Sequence, residues 1–299
     1  MPGASAGPVC PYCATNLAAA GPSVSTCPAC GAPLDVALKV SPSGWTEMPA
    51  TRDMARIQCG HSSVQIEGTM VPVADFALAQ GDGVYFPHHE LLWKEPAVNV
   101  TQRSLAGAWK RMLAGLPVRM LDAVGPGRIA FSRDAAGETL AVPLHPGLSV
   151  DVREHLFMVA THSVTYDWFQ SGIWFQTRSG DETETHYPIG MLMDRFTAPQ
   201  QPGLLLIHAH GNAFLRHLAQ GERILVKPSG LLYKDSSVSA HLHFERPTPG
   251  KFSFFKWGER YMWLALTGPG RVAVQSAYGH THDPGGVIVG GGRMTETQW

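Results

Sequence analysis

The stretch LAQGDGVYFPHHELLWKEPAV, residues 78–98, recurs without a gap as LAQGERILVKPSGLLYKDSSV, residues 218–238. Both copies open on Leu-Ala-Gln-Gly, and both later carry two leucines, an aromatic residue, a lysine and an acid. A run of matches this long indicates an internal repeat. Such a repeat specifies how a chain folds, but it does not by itself specify an activity.

A third, weaker copy lies between the first two. Its residues in register with the first copy are Gly147, Val150, Val152, Phe157, Met158 and Val164. Each copy reads as a glycine turn followed by short apolar strands, and a glycine at one place in all three copies indicates a positive φ. The chain also has 32 glycines and 23 prolines, which suit tight turns. The sequence therefore predicts an all-β body of three repeats in a pseudo-threefold arrangement.

Two connecting segments carry further signals. Gly-Pro-Gly at residues 125–127 returns at 268–270. Because proline lacks an N–H donor and no helix start follows, this motif predicts a hairpin turn rather than a phosphate site. Residues 104–115 carry apolar side chains at helical spacing, which is compatible with a short amphipathic helix. The counterpart in the last copy, residues 252–258, is aromatic and strand-like, so helix and strand both stay open here.

Composition bounds the class of protein. The 299 residues are 44% hydrophobic, and 23 Lys plus Arg balance 24 Asp plus Glu, so no broad field attracts nucleic acid. The apolar runs are shorter than the roughly 20 residues that a membrane-spanning helix needs. We therefore expect a soluble protein without a transmembrane segment, and peripheral association with a membrane stays open. The first twenty residues lack the features of a leader sequence, which predicts a cytoplasmic location.

Two Cys-Pro-x-Cys knuckles stand near the N-terminus, and their cysteines are Cys10, Cys13, Cys27 and Cys30. Each knuckle can present two thiolates to one tetrahedral ion, and Gly31 lets the backbone turn back beneath the metal. This pattern resembles a zinc ribbon, and we predict one structural Zn²⁺ per chain bound by these four residues. The alternatives are two disulfides or a redox Cys-x-x-Cys pair, but paired knuckles in a cytoplasmic protein favour zinc.

The ribbon is too short to have a core of its own. Metal binding, worth roughly 10–16 kcal/mol in small zinc peptides, would have to fold it. No Lys or Arg precedes Lys39, so the ribbon cannot neutralise phosphates, and protein docking or stabilisation is the expected role.

Composition divides the chain into five segments. They are a flexible tail at 1–9, the zinc ribbon at 10–35, a linker at 36–55, the three-repeat β domain at 56–282 and a Gly-rich tail at 283–299. The linker carries prolines and glycines, so we expect the ribbon to be mobile relative to the body. The Gly-rich end is expected either to be disordered or to add residues 287–289 as a strand to a neighbouring sheet.

Three His-x-His pairs offer an alternative, a metal-dependent enzyme in a cupin-like body. The residues are His208, His210, His241, His243, His280 and His282. A cupin centre needs an acid a few residues after the pair, and residues 211–215, GNAFL, supply none. Residues 239–245 alternate polar and apolar side chains, which is typical of a strand with one wet face. No nucleophile elbow, phosphate loop or dinucleotide fingerprint has the context that it needs, so we identify no catalytic residues.

The repeat glycines, the Gly-Pro-Gly turns and the closing run LALTGPGRVAVQS at residues 264–276 resemble the family of altered inheritance of mitochondria protein twenty-four. The likeness covers about residues 55–282. It implies a compact all-β fold similar to the tryptophan RNA-binding attenuation protein and related to the double-stranded β-helix, with no catalytic residues to transfer. Eukaryotic members are associated with mitochondrial inner-membrane organisation, whereas most bacterial members have no assigned activity. The predicted zinc ribbon and the expected lack of a presequence are departures from that pattern.

Together these observations predict a non-enzymatic scaffold or partner-binding protein with a structural zinc ribbon. Its expected partner is another protein or a second copy of itself, as a homo-oligomer, because repeated sheet edges can pair with other chains.

Overall fold

The computed structural model describes residues 8–21, 24–103, 120–245, 261–279 and 287–294. Within them the chain forms β-strands and four short 3-10 turns, with no α-helix, so the all-β prediction is confirmed. The candidate helix at residues 104–115 and the pair His280 and His282 lie outside the described residues.

The strands are numbered in chain order. They are β1 (Thr46–Glu47), β2 (Ile57–Cys59), β3 (Ser62–Glu67), β4 (Val73–Leu78), β5 (Gly83–Pro87), β6 (Leu91–Lys94), β7 (Asn99–Gln102), β8 (Met120–Val124), β9 (Gly127–Ser132), β10 (Gly137–Leu144), β11 (Ser149–Arg153), β12 (Phe157–Thr161), β13 (Thr165–Gln170), β14 (Trp174–Ser179), β15 (Glu182–His186), β16 (Leu192–Thr197), β17 (Gly203–His210), β18 (Ala213–Leu218), β19 (Arg223–Val226), β20 (Leu231–Asp235), β21 (Ser239–Glu245), β22 (Tyr261–Thr267), β23 (Gly270–Gln275) and β24 (Val287–Gly292). The 3-10 turns are Ala18–Ala20, Thr51–Asp53, His88–Glu90 and Pro228–Gly230.

The chain divides into two compact units. The first comprises the described residues of Met1–Ser149, Leu156–Tyr166 and Phe196–Leu215, and the second those of Val150–His155, Asp167–Arg195 and Arg216–Trp299.

The first unit contains two antiparallel sheets. One has the strand order β2-β3-β4-β9-β6 and the other β10-β17-β12-β5-β8-β7. In β3 and β4 every second side chain is buried, as expected of strands with one face on a core. The two sheets meet through aromatic rings, because the ring centroids of Phe86 on β5 and Phe131 on β9 are 4.6 Å apart. The ring of Phe131 also contacts that of Phe76 on β4 edge-on, with the centroids 5.7 Å apart. This ring cluster is the centre of the first core.

The second unit contains the three-stranded sheets β19-β22-β21 and β15-β14-β24, and the strand order β23-β20-β11-β16-β13. In the last of these, Asp151 on β11 lies opposite Lys234 on β20. Asp151 is fully buried and accepts hydrogen bonds from Lys234 at 2.8 Å and from Arg195 at 2.7 and 3.0 Å. Burial opposes its ionisation, but these two cations outweigh burial and hold the pKa of Asp151 below its ordinary value.

The repeat glycines occupy the backbone conformation that the sequence predicts. Gly81, Gly147 and Gly221 have φ of +85°, +82° and +76°. A Cβ built on any of the three would meet no atom within 4 Å. The requirement for glycine is therefore conformational at these turns rather than steric. The pseudo-threefold arrangement of the three copies stays a prediction.

The Gly-Pro-Gly motifs are turns, but they are not hairpins. Residues 125–127 lead from β8 to β9, and these strands lie in different sheets of the first unit. A Cβ on Gly125 would lie 2.4 Å from the carbonyl oxygen of Ala79, so the backbone passes close to the preceding repeat turn. The expectation of a hairpin was wrong because a turn signal does not specify whether its flanking strands pair with each other.

The Gly-rich end contributes a strand. Residues Val287–Gly292 form β24, which pairs antiparallel with β14 of the same chain. A Cβ on Gly292 would lie 2.4 Å from the indole nitrogen of Trp174, so the missing side chain permits this close approach. Of the two expectations for this end, the strand is the one found in residues 287–292.

Candidate metal centre

Each cysteine knuckle is a tight turn with the same hydrogen bonds. In the first, the amide of Cys10 donates to Thr15 O at 2.9 Å and the amide of Ala14 donates to Cys10 O at 2.9 Å. In the second, the amide of Cys27 donates to Ala32 O at 2.8 Å, and the amide of Gly31 donates to Cys27 O at 2.8 Å. Ala14 and Gly31 both have positive φ, at 61° and 74°. The turns therefore aim both thiols of each knuckle to one side.

The four thiols gather at one point. The Sγ atoms of Cys10 and Cys30 are 3.8 Å apart, those of Cys13 and Cys27 are 3.7 Å apart, and all four lie within 4.8 Å of one another. A disulfide has an S–S distance of about 2.05 Å, so these are four separate thiols. Tetrahedral thiolates about 2.3 Å from a zinc ion lie about 3.8 Å from one another. The cluster can hold a metal ion, and its spacing fits zinc.

Burial and charge suit the same role. All four cysteines are buried, so an ion at their centre would be shielded from water. Hydrogen bonding from Cys13 lowers the pKa of Cys10 to about 7, and hydrogen bonding from Cys10 lowers the pKa of Cys27 but raises the pKa of Cys13 and that of Cys30, so two of the four thiols favour the thiolate before a metal binds. Thiolate is the form that binds a metal. The site has no open position for a substrate, as in structural zinc sites.

The cluster is part of the first core rather than a separate module. Tyr12, Leu17 and Ala32 are buried in the same hydrophobic cluster as Ile57 and Val64 of β2 and β3. The predicted linker also joins the fold, because its strand β1 pairs with β18 at residues 214–215. The expectation of a ribbon that moves relative to the body was wrong. Its basis was linker composition, which carries no information on what a small apolar surface packs against.

Gly31 contacts the segment that leads into β2. Its carbonyl oxygen accepts a hydrogen bond of 2.7 Å from the amide of Ala55. A Cβ at Gly31 would lie 2.4 Å from Ala55 O and 3.1 Å from Cγ1 of Ile57. The glycine is needed for its positive φ and also for this close approach.

A polar contact ties the first knuckle to a distant strand end. Thr15 Oγ1 lies 3.1 Å from the Sγ of Cys13 and 3.3 Å from Nε2 of His145. Such an outer hydrogen bond orients a ligand thiol. No sequence signal could have found this contact, because the two residues lie far apart and neither belongs to a motif.

The His-x-His pairs behave differently from the cysteines. The rings of His208 and His210 are 5.1 Å apart, and burial lowers the pKa of His208 to about 4. His241 and His243 lie on β21, where they alternate with buried apolar residues, so the predicted half-buried strand is confirmed. In the part of the chain that the structure describes, the four cysteines are the only group of three or more His, Cys, Asp or Glu close enough to share a metal ion.

A second buried acid lies in the first unit. Glu90 is fully buried and forms an ion pair with Arg133, and its Oε1 lies 3.1 Å from Nε2 of His89. Burial raises its pKa to about 7, although Arg133 opposes the shift. Glu90 Oε2 is buried without a hydrogen-bond partner among the described residues.

The structure contains, among its described residues, no helix long and apolar enough to cross a membrane.

Comparisons with known proteins identify relatives of this chain. The family model described as mitochondrial biogenesis AIM24 matches residues 64–277. A crystal structure of a protein from Streptococcus pyogenes is similar in fold, with a TM-score of 0.52 and 16% sequence identity, and the match covers 73% of this chain and 94% of that one. No curated protein matches the sequence. The family match begins beyond the cysteine cluster.

Proposed function

Because the chain belongs to the mitochondrial biogenesis AIM24 family, whose description specifies no chemical reaction, we propose that it is a non-enzymatic, self-associating scaffold with a structural zinc ion at its four N-terminal cysteines. The closed, buried thiol cluster supports a structural rather than catalytic ion. Among the described residues, neither histidine pair belongs to a group of three or more ligands that could share an ion, which supports a single metal centre.

One observation carries the proposal of self-association, namely the unequal surroundings of equivalent strands. In the second unit β20 lies between β23 and β11, and in the first unit β12 lies between β17 and β5. Their counterpart in the first repeat, β6, pairs with β9 and is the end strand of its sheet. Among the described strands, β6 therefore lacks the second neighbour that its counterparts have.

The exposed side chains on β6 follow from this edge position. Leu92 and Trp93 are 51% and 48% exposed, whereas their repeat equivalents on β20, Leu232 and Tyr233, are buried. A register shift between Leu91 and Trp93 marks a bulge, which places neighbouring side chains outward together. An exposed apolar edge is a template for strand addition, and tryptophan is frequent where binding energy concentrates.

The strand that would fill this position is β19. It is the end strand of the sheet β19-β22-β21, and its Leu225 is 38% exposed. Leu225 is the fourth residue after its repeat glycine. The fourth residues after the other two repeat glycines are Tyr85 on β5 and Asp151 on β11, and both are fully buried. Tyr85 lies opposite Ala160, and Asp151 lies opposite Lys234. By the same register, Leu225 of one copy would lie opposite Lys94 of a second copy.

Charge at this pair provides the test. Leu225→Lys would place like charges opposite each other, whereas Leu225→Glu would face Lys94 with an opposite charge. Such cross-strand pairs differ by roughly 0.2–1 kcal/mol each. In light scattering over a concentration series, we expect wild type to associate. Leu225→Lys should associate more weakly than Leu225→Glu and so dissociate at higher concentrations. Adding Lys94→Glu to Leu225→Lys should restore association.

A matched control is Met70→Lys, which adds the same charge at a residue 73% exposed in the β3–β4 turn and should leave association unchanged. A wild type that is monomeric at every concentration would reject self-association. A monomer that also holds a second metal ion lost in His208→Ala would favour the metal-dependent enzyme instead.

A further inference from the structure

A cavity of about 410 Å³ opens in the first unit. Its walls come from the β2–β3 and β4–β5 turns, the ends of β10 and β12, and the turn before β17. Ala29 of the second cysteine knuckle adds a further part of the wall. The volume lies in the range of roughly 300–1,000 Å³ that is usual for small-molecule sites.

The lining combines apolar surface with a single fixed charge. Leu78, Val84, Leu144 and Leu204 supply apolar wall, and each is buried. Among the described residues that line the cavity, Asp82 is the one carboxylate, none is a lysine or arginine, and the histidines are His145 and His162. The Cys59 thiol also lines it, but burial raises the pKa of that thiol to about 12, so it stays neutral. The fixed charge of the lining is therefore negative.

Asp82 has one oxygen engaged and one available. Its Oδ2 accepts hydrogen bonds from the Ser62 hydroxyl at 2.7 Å and from the amide of His61 at 3.0 Å. Its Oδ1 faces Nδ1 of His61 at 3.7 Å, which is too long for a hydrogen bond. The Ser62 hydroxyl is the main cause that lowers the pKa of Asp82, so the carboxylate is ionised at neutral pH. The β2–β3 turn thus fixes the carboxylate at the cavity wall and leaves Oδ1 for a ligand.

We propose that this cavity binds a small organic cation, with an ammonium or amidinium group on Asp82 and an apolar body against the leucine and valine wall. A cation would give Oδ1 a closer donor than the His61 ring at 3.7 Å, and no lysine or arginine of the described lining competes for it. An anionic ligand would be repelled by the carboxylate. This site is separate from the sheet edges of the proposed self-association.

The position of Ala29 couples this site to the metal centre. Ala29 lies between Cys27 and Cys30, so loss of the metal would release the segment that forms this part of the wall. Ligand affinity and metal occupancy are then linked, and each should strengthen the other.

The test titrates zinc-loaded full-length protein with three probes of one shape and different charge, namely benzylamine, benzyl alcohol and benzoate, followed by NMR chemical shifts. We expect benzylamine to bind saturably and at least tenfold more tightly than the other two. Asp82→Asn should remove that preference and leave the affinity for benzyl alcohol unchanged. Asp75→Asn is the matched control, because Asp75 lies on the same unit, pairs with Arg128 and does not line the cavity.

A second variant leaves Asp82 and its hydrogen bonds intact. Ala29→Leu adds a side chain at the cavity wall and should weaken binding of benzylamine at least tenfold. Chelation of the metal should weaken it as well. The proposal is overturned if benzylamine does not bind, if it binds no more tightly than benzyl alcohol, or if Asp82→Asn and Asp75→Asn have equal effects.

Discussion

Gly31→Ala tests the packing of the cysteine module against the body. The substitution adds one methyl group at a residue with φ of +74°, and that methyl would lie 2.4 Å from the carbonyl oxygen of Ala55. Because the obstructing atom belongs to the backbone, the ribbon and the segment before β2 must move apart. The hydrogen bond of 2.7 Å from Ala55 to Gly31 would then be lost.

The expected cost has three parts. An L-residue in the left-handed region costs roughly 1–2 kcal/mol. Overpacking adds roughly 1–3 kcal/mol, and the lost hydrogen bond adds roughly 0.5–1.5 kcal/mol. We therefore expect Gly31→Ala to lower the free energy of unfolding by about 2.5–6.5 kcal/mol. Gly147→Ala shares the first part alone, because nothing lies within 4 Å of its added Cβ, and should cost about 1–2 kcal/mol.

Urea unfolding followed by circular dichroism measures both variants, with the metal content of each determined beforehand. The comparison is valid if Gly31→Ala retains as much metal as wild type. Equal destabilisation by the two substitutions at equal metal content would refute the packing of the ribbon against Ala55 and Ile57.

Three further predictions concern the metal and two buried acids. Purified protein should carry one zinc ion per chain by elemental analysis and lose it when Cys10, Cys13, Cys27 and Cys30 are all serine; zinc retained in that variant would contradict the site. The raised pKa of Glu90 makes the folded state favour the protonated acid, so its stabilising effect is complete below pH 4.5 and is lost as the pH rises through about 7. Between pH 5 and 7.5, urea unfolding should show the unfolding free energy of wild type falling by up to about 3 kcal/mol more than that of Glu90→Gln. If the unfolding free energies of the two proteins change in parallel with pH, Glu90 ionises freely. Asp151→Asn should lower the free energy of unfolding by about 3–5 kcal/mol, because Arg195 and the buried Lys234 lose their counter-ion. Asp75→Asn, which removes a more exposed ion pair, should cost less than about 1 kcal/mol. A cost that small for Asp151→Asn would show that the buried cluster is solvated.

Local backbone requirements could be predicted from the sequence. Gly81, Gly147 and Gly221 were identified as turn residues because positive φ excludes most other side chains, and that restriction leaves a visible pattern. The four cysteines were identified for a similar reason, since two thiols three residues apart can reach one ion. Both signals depend on residues close together in the chain.

Contacts between distant segments could not be predicted in this way. The sequence around Gly31 carries no sign that Ala55 approaches it, and the contact between Thr15 and His145 joins two ordinary polar residues. The same limit applies to Asp82, whose carboxylate was not singled out because its role depends on a cavity assembled from five separate turns and strand ends. Pairing of β24 with β14 also depends on tertiary packing, since a Gly-rich strand has low intrinsic propensity.

The location of the cysteine cluster also bears on the order of events during synthesis at the ribosome. The four thiols precede strands β1 to β24 in the chain, so the knuckles can capture an ion before those strands are made. The strands against which the ribbon packs, β2 and β3, follow soon after, whereas β10 must wait for β17, its partner more than sixty residues later. A nascent chain with metal-loaded knuckles would thus present a formed apolar surface to each strand as it leaves the exit tunnel. In a cell starved of the metal, the loss should therefore appear as slower and less complete maturation of new chains before the stability of existing ones changes.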